Sequence, residues 1–86
     1  MTVRCTPAGG GHRCDVLVSE GTSTSRHSVR VSAKDLGRWG HGRSAEELVR
    51  DSFRFLLERE PKESILRQFD LSVIQQYFPD YDGALR

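Results

Sequence analysis

The stretch SAEELVRDSFRFLLERE, residues 44–60, decides how the rest of the chain is read. Ser44 and Glu47 have the spacing of a capping box, in which the hydroxyl accepts an early helical N–H and the carboxylate reaches back to the Ser44 N–H. Glu46 and Glu47 put negative charge in the first turn, where the helix dipole favours it. Leu48, Ser52 and Leu56 form one i, i+4 row and Val49, Phe53 and Leu57 the next, an apolar stripe wide enough to face a core. Phe55 lies outside both rows. The i, i+4 pairs Glu47/Asp51, Arg50/Arg54 and Arg54/Glu58 partly cancel, so packing of the stripe has to hold the helix. Pro61 lacks an N–H and disfavours helical geometry at Glu60, so the helix ends or kinks there.

Upstream of this helix, two runs have a period of two. RCDVLVSE, residues 13–20, sets Cys14, Val16 and Val18 against Asp15, Leu17 and Ser19; RHSVRVS, residues 26–32, sets His27, Val29 and Val31 against Arg26, Ser28, Arg30 and Ser32. The polar linker GTSTS, residues 21–25, joins them as a hairpin whose Val-rich face turns to the helix and whose Arg/Ser face meets solvent or a partner. Residues 2–6, with Val3 and Cys5 opposite Arg4, are a candidate third strand. PAGGGH, residues 7–12, reads as a flexible loop, because consecutive glycines add backbone freedom and no side chain to pack. Gly37, Gly40 and Gly42 each cost about 1 kcal/mol in a helix interior, so residues 33–43 are expected to form at most one helical turn. Leu36 and Trp39 then fill the space between sheet and helix, and the Trp39 indole N–H needs a partner.

Downstream, Pro61 suits the first position of a new helix that turns Ile65, Leu66 and Phe69 inward. Asp70 caps another, with Leu71, Ile74, Tyr77 and Phe78 inward and Pro79 as its stop. Residues 80–86 are expected to fray, apart from Tyr81. The predicted class is α+β in one domain, residues 1–86: a two- or three-stranded antiparallel sheet with the hairpin 13–20/26–32, packed against a main helix 44–60 and one or two short C-terminal helices.

A domain of 86 residues buries only about 60% of its unfolded surface, which leaves little room for an internal cleft. No apolar run approaches the ~20 residues of a membrane-spanning helix, so no membrane partner is expected. MTVRCTPAGGGHR lacks the apolar core of a secretory signal and reads as cytoplasmic. In that compartment Cys5 and Cys14 are expected to be reduced and to face the sheet packing as small hydrophobes. Cys5, His12 and Cys14 with His27 and His41 raise the question of zinc, but there is no C-x-x-C pair, and neither metal nor cofactor is expected. The glycine run is not followed by Gly-Lys-Ser/Thr, as a phosphate loop requires. No nucleophile and base pair up in a recognisable elbow, so no catalytic residue is assigned and the chain is read as no enzyme.

The net charge of +1 conceals an asymmetry. Residues 1–43 carry seven Lys/Arg against three Asp/Glu, a net of +4, and residues 44–86 carry six against nine, a net of −3. That division suits an anionic partner or head-to-tail self-association.

From residue 26 onward, RHSVRVSAKDLGRWGHGRSAEELVRDSFRFLLERE resembles the ribbon-helix-helix DNA-binding antitoxins and repressors: an Arg/Ser-bearing strand, a linking segment, and a Gly-x-Ser opening into an ELVRxxxxxLLE helix. The resemblance implies that Arg26, Ser28 and Arg30 enter the major groove while the helix start at Ser44 holds a phosphate. An upstream strand at residues 13–20 would compete with the intermolecular ribbon of that family. The strand pair together with SAEELVRDSFRFLLEREPKESIL and FDLSVIQQYFP is also similar to small bacterial proteins of unassigned function, a likeness that implies no activity. The expected function is a non-enzymatic interaction module or regulator acting through protein contacts, with an antitoxin-like repressor as the alternative and a homodimer within range. Arg26, Ser28, Arg30, Arg38 and Arg43 form the candidate face for a protein or nucleic-acid partner.

Overall fold

The computed structural model describes residues 1–85. Strands β1 (Thr2–Ala8), β2 (Gly11–Glu20) and β3 (Ser23–Val31) lead into helices α1 (Ala33–Trp39) and α2 (Ala45–Leu57). A 3₁₀ turn at Lys62–Ser64, strand β4 (Gln68–Asp70) and helices α3 (Val73–Tyr77) and α4 (Tyr81–Leu85) complete the chain. The strands lie in the order β1-β2-β3-β4, the first three antiparallel and β4 parallel to β3. The class is α+β, with four strands where two or three are expected from the sequence. Among the described residues no helix is long and apolar enough to cross a membrane.

Both hairpins are tighter than the sequence reading has them. Gly9 and Gly10, at φ +53° and +83°, form a two-residue turn of the kind that requires positive φ at both central positions. Pro7, Ala8, Gly11 and His12 are therefore strand residues rather than parts of a flexible loop 7–12. The second turn is Gly21 and Thr22 alone, with Gly21 at φ +60°, because Ser23, Thr24 and Ser25 continue the ladder opposite Glu20, Ser19 and Val18. The hairpin thus runs over 11–20/23–31 instead of 13–20/26–32.

Alternation does the rest. Val3, Cys14, Val16, Val18, His27, Val29 and Val31 are buried on the inner face, against the stripe Leu48, Val49, Ser52, Phe53 and Leu56 of α2. Helix α2 starts with both bonds of the capping box, at 3.1 and 3.0 Å, and the Ser44 hydrogen bonds hold the Glu47 carboxyl below the usual carboxylate range. It stops at Leu57 rather than 60; the N–H groups of Glu58 and Glu60 still bond back to Arg54 and Leu56, and extended Pro61 then turns the chain away. Helix α1 runs two turns despite Gly37, capped by the Ser32 hydroxyl on the Asp35 N–H at 3.0 Å. Trp39 is fully buried, and its indole N–H donates to Asp82 at 2.8 Å.

The C-terminal third departs furthest from expectation. No helix follows Pro61 beyond the 3₁₀ turn; the chain extends and enters the sheet as β4, which buries Phe69. Asp70 is a strand residue, Ser72 stands at the N-terminus of α3, and Tyr77, expected inward, is 68% exposed. Residues 81–85 are helical rather than frayed, with Tyr81 and Leu85 buried, while Arg86 lies outside the described residues. The Tyr81 hydroxyl donates to Ser52 at 2.8 Å, since the Ser52 hydrogen is already committed to the Leu48 carbonyl at 2.7 Å. Burial pushes the Tyr81 phenol up to about 12. Phe55, outside the α2 stripe, is buried because Tyr81 and Phe78 meet it edge-on, with ring centroids at 5.4 and 6.0 Å, and the Arg59 guanidinium covers it.

The cysteines also depart from the sequence reading. Cys5 and Cys14 are not reduced but joined in a disulfide, because they stand directly opposite each other in the β1/β2 register with Cα atoms 4.0 Å apart. Beside that bridge the Cys5 N–H donates to the Glu46 carboxylate at 3.1 Å, which ties edge strand β1 to the start of α2.

Candidate functional site

The helices cover one face of the sheet and leave the other open. On the open face the register aligns side chains in rows: Thr6, Arg13, Arg30 and Asp70; Arg4, Asp15, Ser28 and Gln68; Thr2, Leu17 and Arg26. Four arginines, Arg4, Arg13, Arg26 and Arg30, are exposed there against two aspartates, Asp15 and Asp70. Among the described residues no ion pair engages any of these four guanidinium groups. Arg13 stands directly opposite Arg30, and like charges in that position cost stability unless an anion lies between them. The face carries a net positive charge, four arginines against two aspartates.

Two members of the sequence-derived set are elsewhere. Arg43 donates from Nε to the Gly40 carbonyl at 2.9 Å and from its terminal nitrogens to Asp51 at 2.9 Å, to the Trp39 carbonyl at 2.7 Å and to the Leu85 carbonyl. Arg38 lies 3.5 Å from Asp82 and covers the Trp39 ring at 4.7 Å. Both fasten α4 to the α1–α2 corner, so the structure separates them from Arg26, Ser28 and Arg30. Arg4 and Arg13 take their place on the face. A turn centred on Gly9 and Gly10 would have revealed both, since it pairs residue 4 with 15 and residue 6 with 13.

Next to the arginines, β4 and α3 border two neighbouring grooves. One, of about 270 Å³, is floored by Leu56, Ile65, Ile74 and Phe78. The other, of about 530 Å³, holds Arg13, Ser28, Arg30, Gln68 and Asp70. Leu66, Phe69, Val73 and Tyr77 belong to both, and of these Leu66 is 49% and Tyr77 68% exposed.

Two buried polar groups hold the segment that positions this edge. His27, 1% exposed, donates from Nδ1 to the Leu66 carbonyl at 2.8 Å, which leaves Nε2 to accept the Ser25 hydroxyl at 2.8 Å. A serine hydroxyl on an imidazole is the pairing a hydrolase uses, but here the ring's other partner is a main-chain carbonyl and the ring packs on Phe53 at 5.3 Å. The pair ties residue 66 to β3. Lys62, 3% exposed, donates to the Ser23 hydroxyl at 2.6 Å and to Glu63, whose carboxyl it holds below the usual range. Together they anchor the approach to β4 at both ends. Comparison with known proteins finds no matching family model, no matching curated protein and no matching solved structure.

Proposed function

We propose that the protein is a small non-enzymatic binding module, a regulator acting through protein contacts, which presents the open face of its sheet to an acidic protein surface. The observation that carries this reading is the set of four exposed arginines on one face of the sheet, which form no ion pair among the described residues. Arginine is the cation best suited to such a role, because its planar fork binds carboxylates bidentately and keeps its charge at any working pH. Leu66 and Tyr77 add exposed apolar surface at the border of that face, and protein interfaces are enriched in tyrosine and arginine.

DNA is the second reading, favoured by one observation: Arg26, Ser28 and Arg30 project together from β3. Asp15 and Asp70 sit in the same rows as the arginines and would face either kind of anionic partner, so they do not separate the two readings. Against DNA, strand β3 is flanked by β2 and β4, so it would reach a groove as part of a four-stranded sheet rather than as a two-stranded ribbon. A photo-crosslinking residue in place of Ser28, compared with one in place of Glu58 on the helical side, separates these readings in cells. The expected result is a discrete polypeptide adduct from position 28 that disappears in the Arg26→Ala/Arg30→Ala background. Nuclease-sensitive adducts would establish the DNA reading, and equal adducts from both positions would refute a specific face.

A further inference from the structure

The two grooves beside β4 share Leu66, Phe69, Val73 and Tyr77 as walls and set two kinds of surface side by side. One is a mainly apolar trough over Ile65, Phe69 and Ile74, with Glu60 and Ser64 in its lining; the other carries the pair Arg13 and Arg30, with Asp70 beside Arg30. Leu66 and Tyr77 form the ridge between them. We propose that this pair of grooves docks a short segment of a partner protein in which an apolar side chain is flanked by carboxylates. The inference rests on the reading of the chain as a protein-binding module and names the chemistry of what it binds.

Charge complementarity selects this occupant. Arg13 and Arg30 face each other across β2 and β3, among the described residues no ion pair relieves their repulsion, and a carboxylate placed between them would satisfy both forks. Asp70 lies on the far side of Arg30, so the bound carboxylate sits between Arg30 and Arg13. The apolar residue then enters the trough, where Leu66 and Tyr77 lose contact with water. A segment bearing only acids would leave the trough wet, and one bearing only apolar residues would leave the two arginines unrelieved.

The test uses the full-length chain, isotope-labelled, titrated at physiological salt with the blocked peptide Glu-Asp-Leu-Phe-Asp-Glu. Controls replace Leu-Phe by Ser-Ser, or all four acids by Lys. Saturable amide shifts are expected at Leu66, Val73, Tyr77 and Arg30, with affinity lower by about tenfold or more for the Ser-Ser peptide and no binding of the Lys peptide. Tyr77→Ala, a change at an exposed ring, and Arg13→Ala/Arg30→Ala should each weaken binding by about fivefold or more without lowering the melting temperature. Absence of saturable binding overturns the proposal. So does binding that ignores Tyr77→Ala but is lost in Arg4→Ala/Arg26→Ala, a result that would leave the sheet-face reading standing. Displacement of the peptide by duplex DNA through the same arginines overturns both, and so does loss of every acidic-peptide interaction together with failure of the position-28 crosslink.

Discussion

Replacing Tyr81 by alanine tests the part of the fold that seals the helical layer. The ring is fully buried, meets Trp39 edge-on with centroids at 5.1 Å and Phe55 at 5.4 Å, and carries a hydroxyl bonded to Ser52. Truncating a buried aromatic side chain costs about 3–5 kcal/mol. At roughly 0.05–0.15 kcal/mol per residue an 86-residue chain has about 4–13 kcal/mol in total, so the loss is a large share of its stability. In a domain of this size each kcal/mol is worth about 4–8 °C, which gives a fall in Tm of about 12 °C or more. Thermal melts followed by circular dichroism measure it. Trp39 emission should shift to the red in the same variant, because α4 no longer seals the indole. Tyr81→Phe keeps the ring and removes one hydrogen bond, so its cost should be only about 0.5–1.5 kcal/mol. A Tm for Tyr81→Ala within about 4 °C of the parent, with unchanged Trp39 emission, would refute the docking of α4.

The same residue governs alkaline stability. Its folded pKa of about 12 lies above an unfolded value near 10, so its stabilising contribution is complete below pH 10 and is lost as pH rises toward 12. Urea titrations should show stability falling across that window, by on the order of 1–3 kcal/mol from this group, and Tyr81→Phe should flatten the fall. Reduction of the Cys5–Cys14 bridge, which spans nine residues of sequence, should lower stability by about 2.5 kcal/mol on loop-entropy grounds, read as a shift in urea midpoint. In the same protein prepared without reductant both thiols should resist alkylation until the chain is unfolded and reduced. Ser44→Ala should cost about 1 kcal/mol by removing the hydroxyl that accepts the Glu47 N–H, and a Tm that does not change would show that this bond contributes nothing.

What could be read from the sequence, and what could not, divides along the range of the interactions involved. The capping box at Ser44, the apolar stripe of α2 and the alternation of β2 and β3 are local patterns, and the chain folds as they indicate. The disulfide follows from register and not from compartment: Cys5 and Cys14 are equidistant from the Gly9–Gly10 turn and oppose each other once that turn closes. Strand β4 is only three residues long, and its partner is β3; residues around Phe69 carry no period of their own that would separate a strand from a helix. Phe55 looked misplaced because the helix that covers it lies beyond Pro79. The open face was legible only in part: Arg26, Ser28 and Arg30 follow from β3 alone, whereas Arg4 and Arg13 join them through register, and Arg38 and Arg43 leave them through contacts with Asp82, Asp51 and Leu85.

The parallel pairing of β3 with β4 also sets the order in which the chain assembles. The two hairpins close through turns of two residues and form early, whereas Ser28 meets Gln68 only after a loop of about 40 residues has been brought together. Until then β3 is an edge strand, and its outward N–H and C=O groups are open to any extended chain nearby. During synthesis this interval lasts from the emergence of residue 31 until residue 68 has left the ribosome and α2 has docked. Association between nascent or refolding chains should therefore be concentrated at β3, and substitutions that delay the arrival of β4, such as Phe69→Ala, should raise aggregation during refolding more than they lower the final stability.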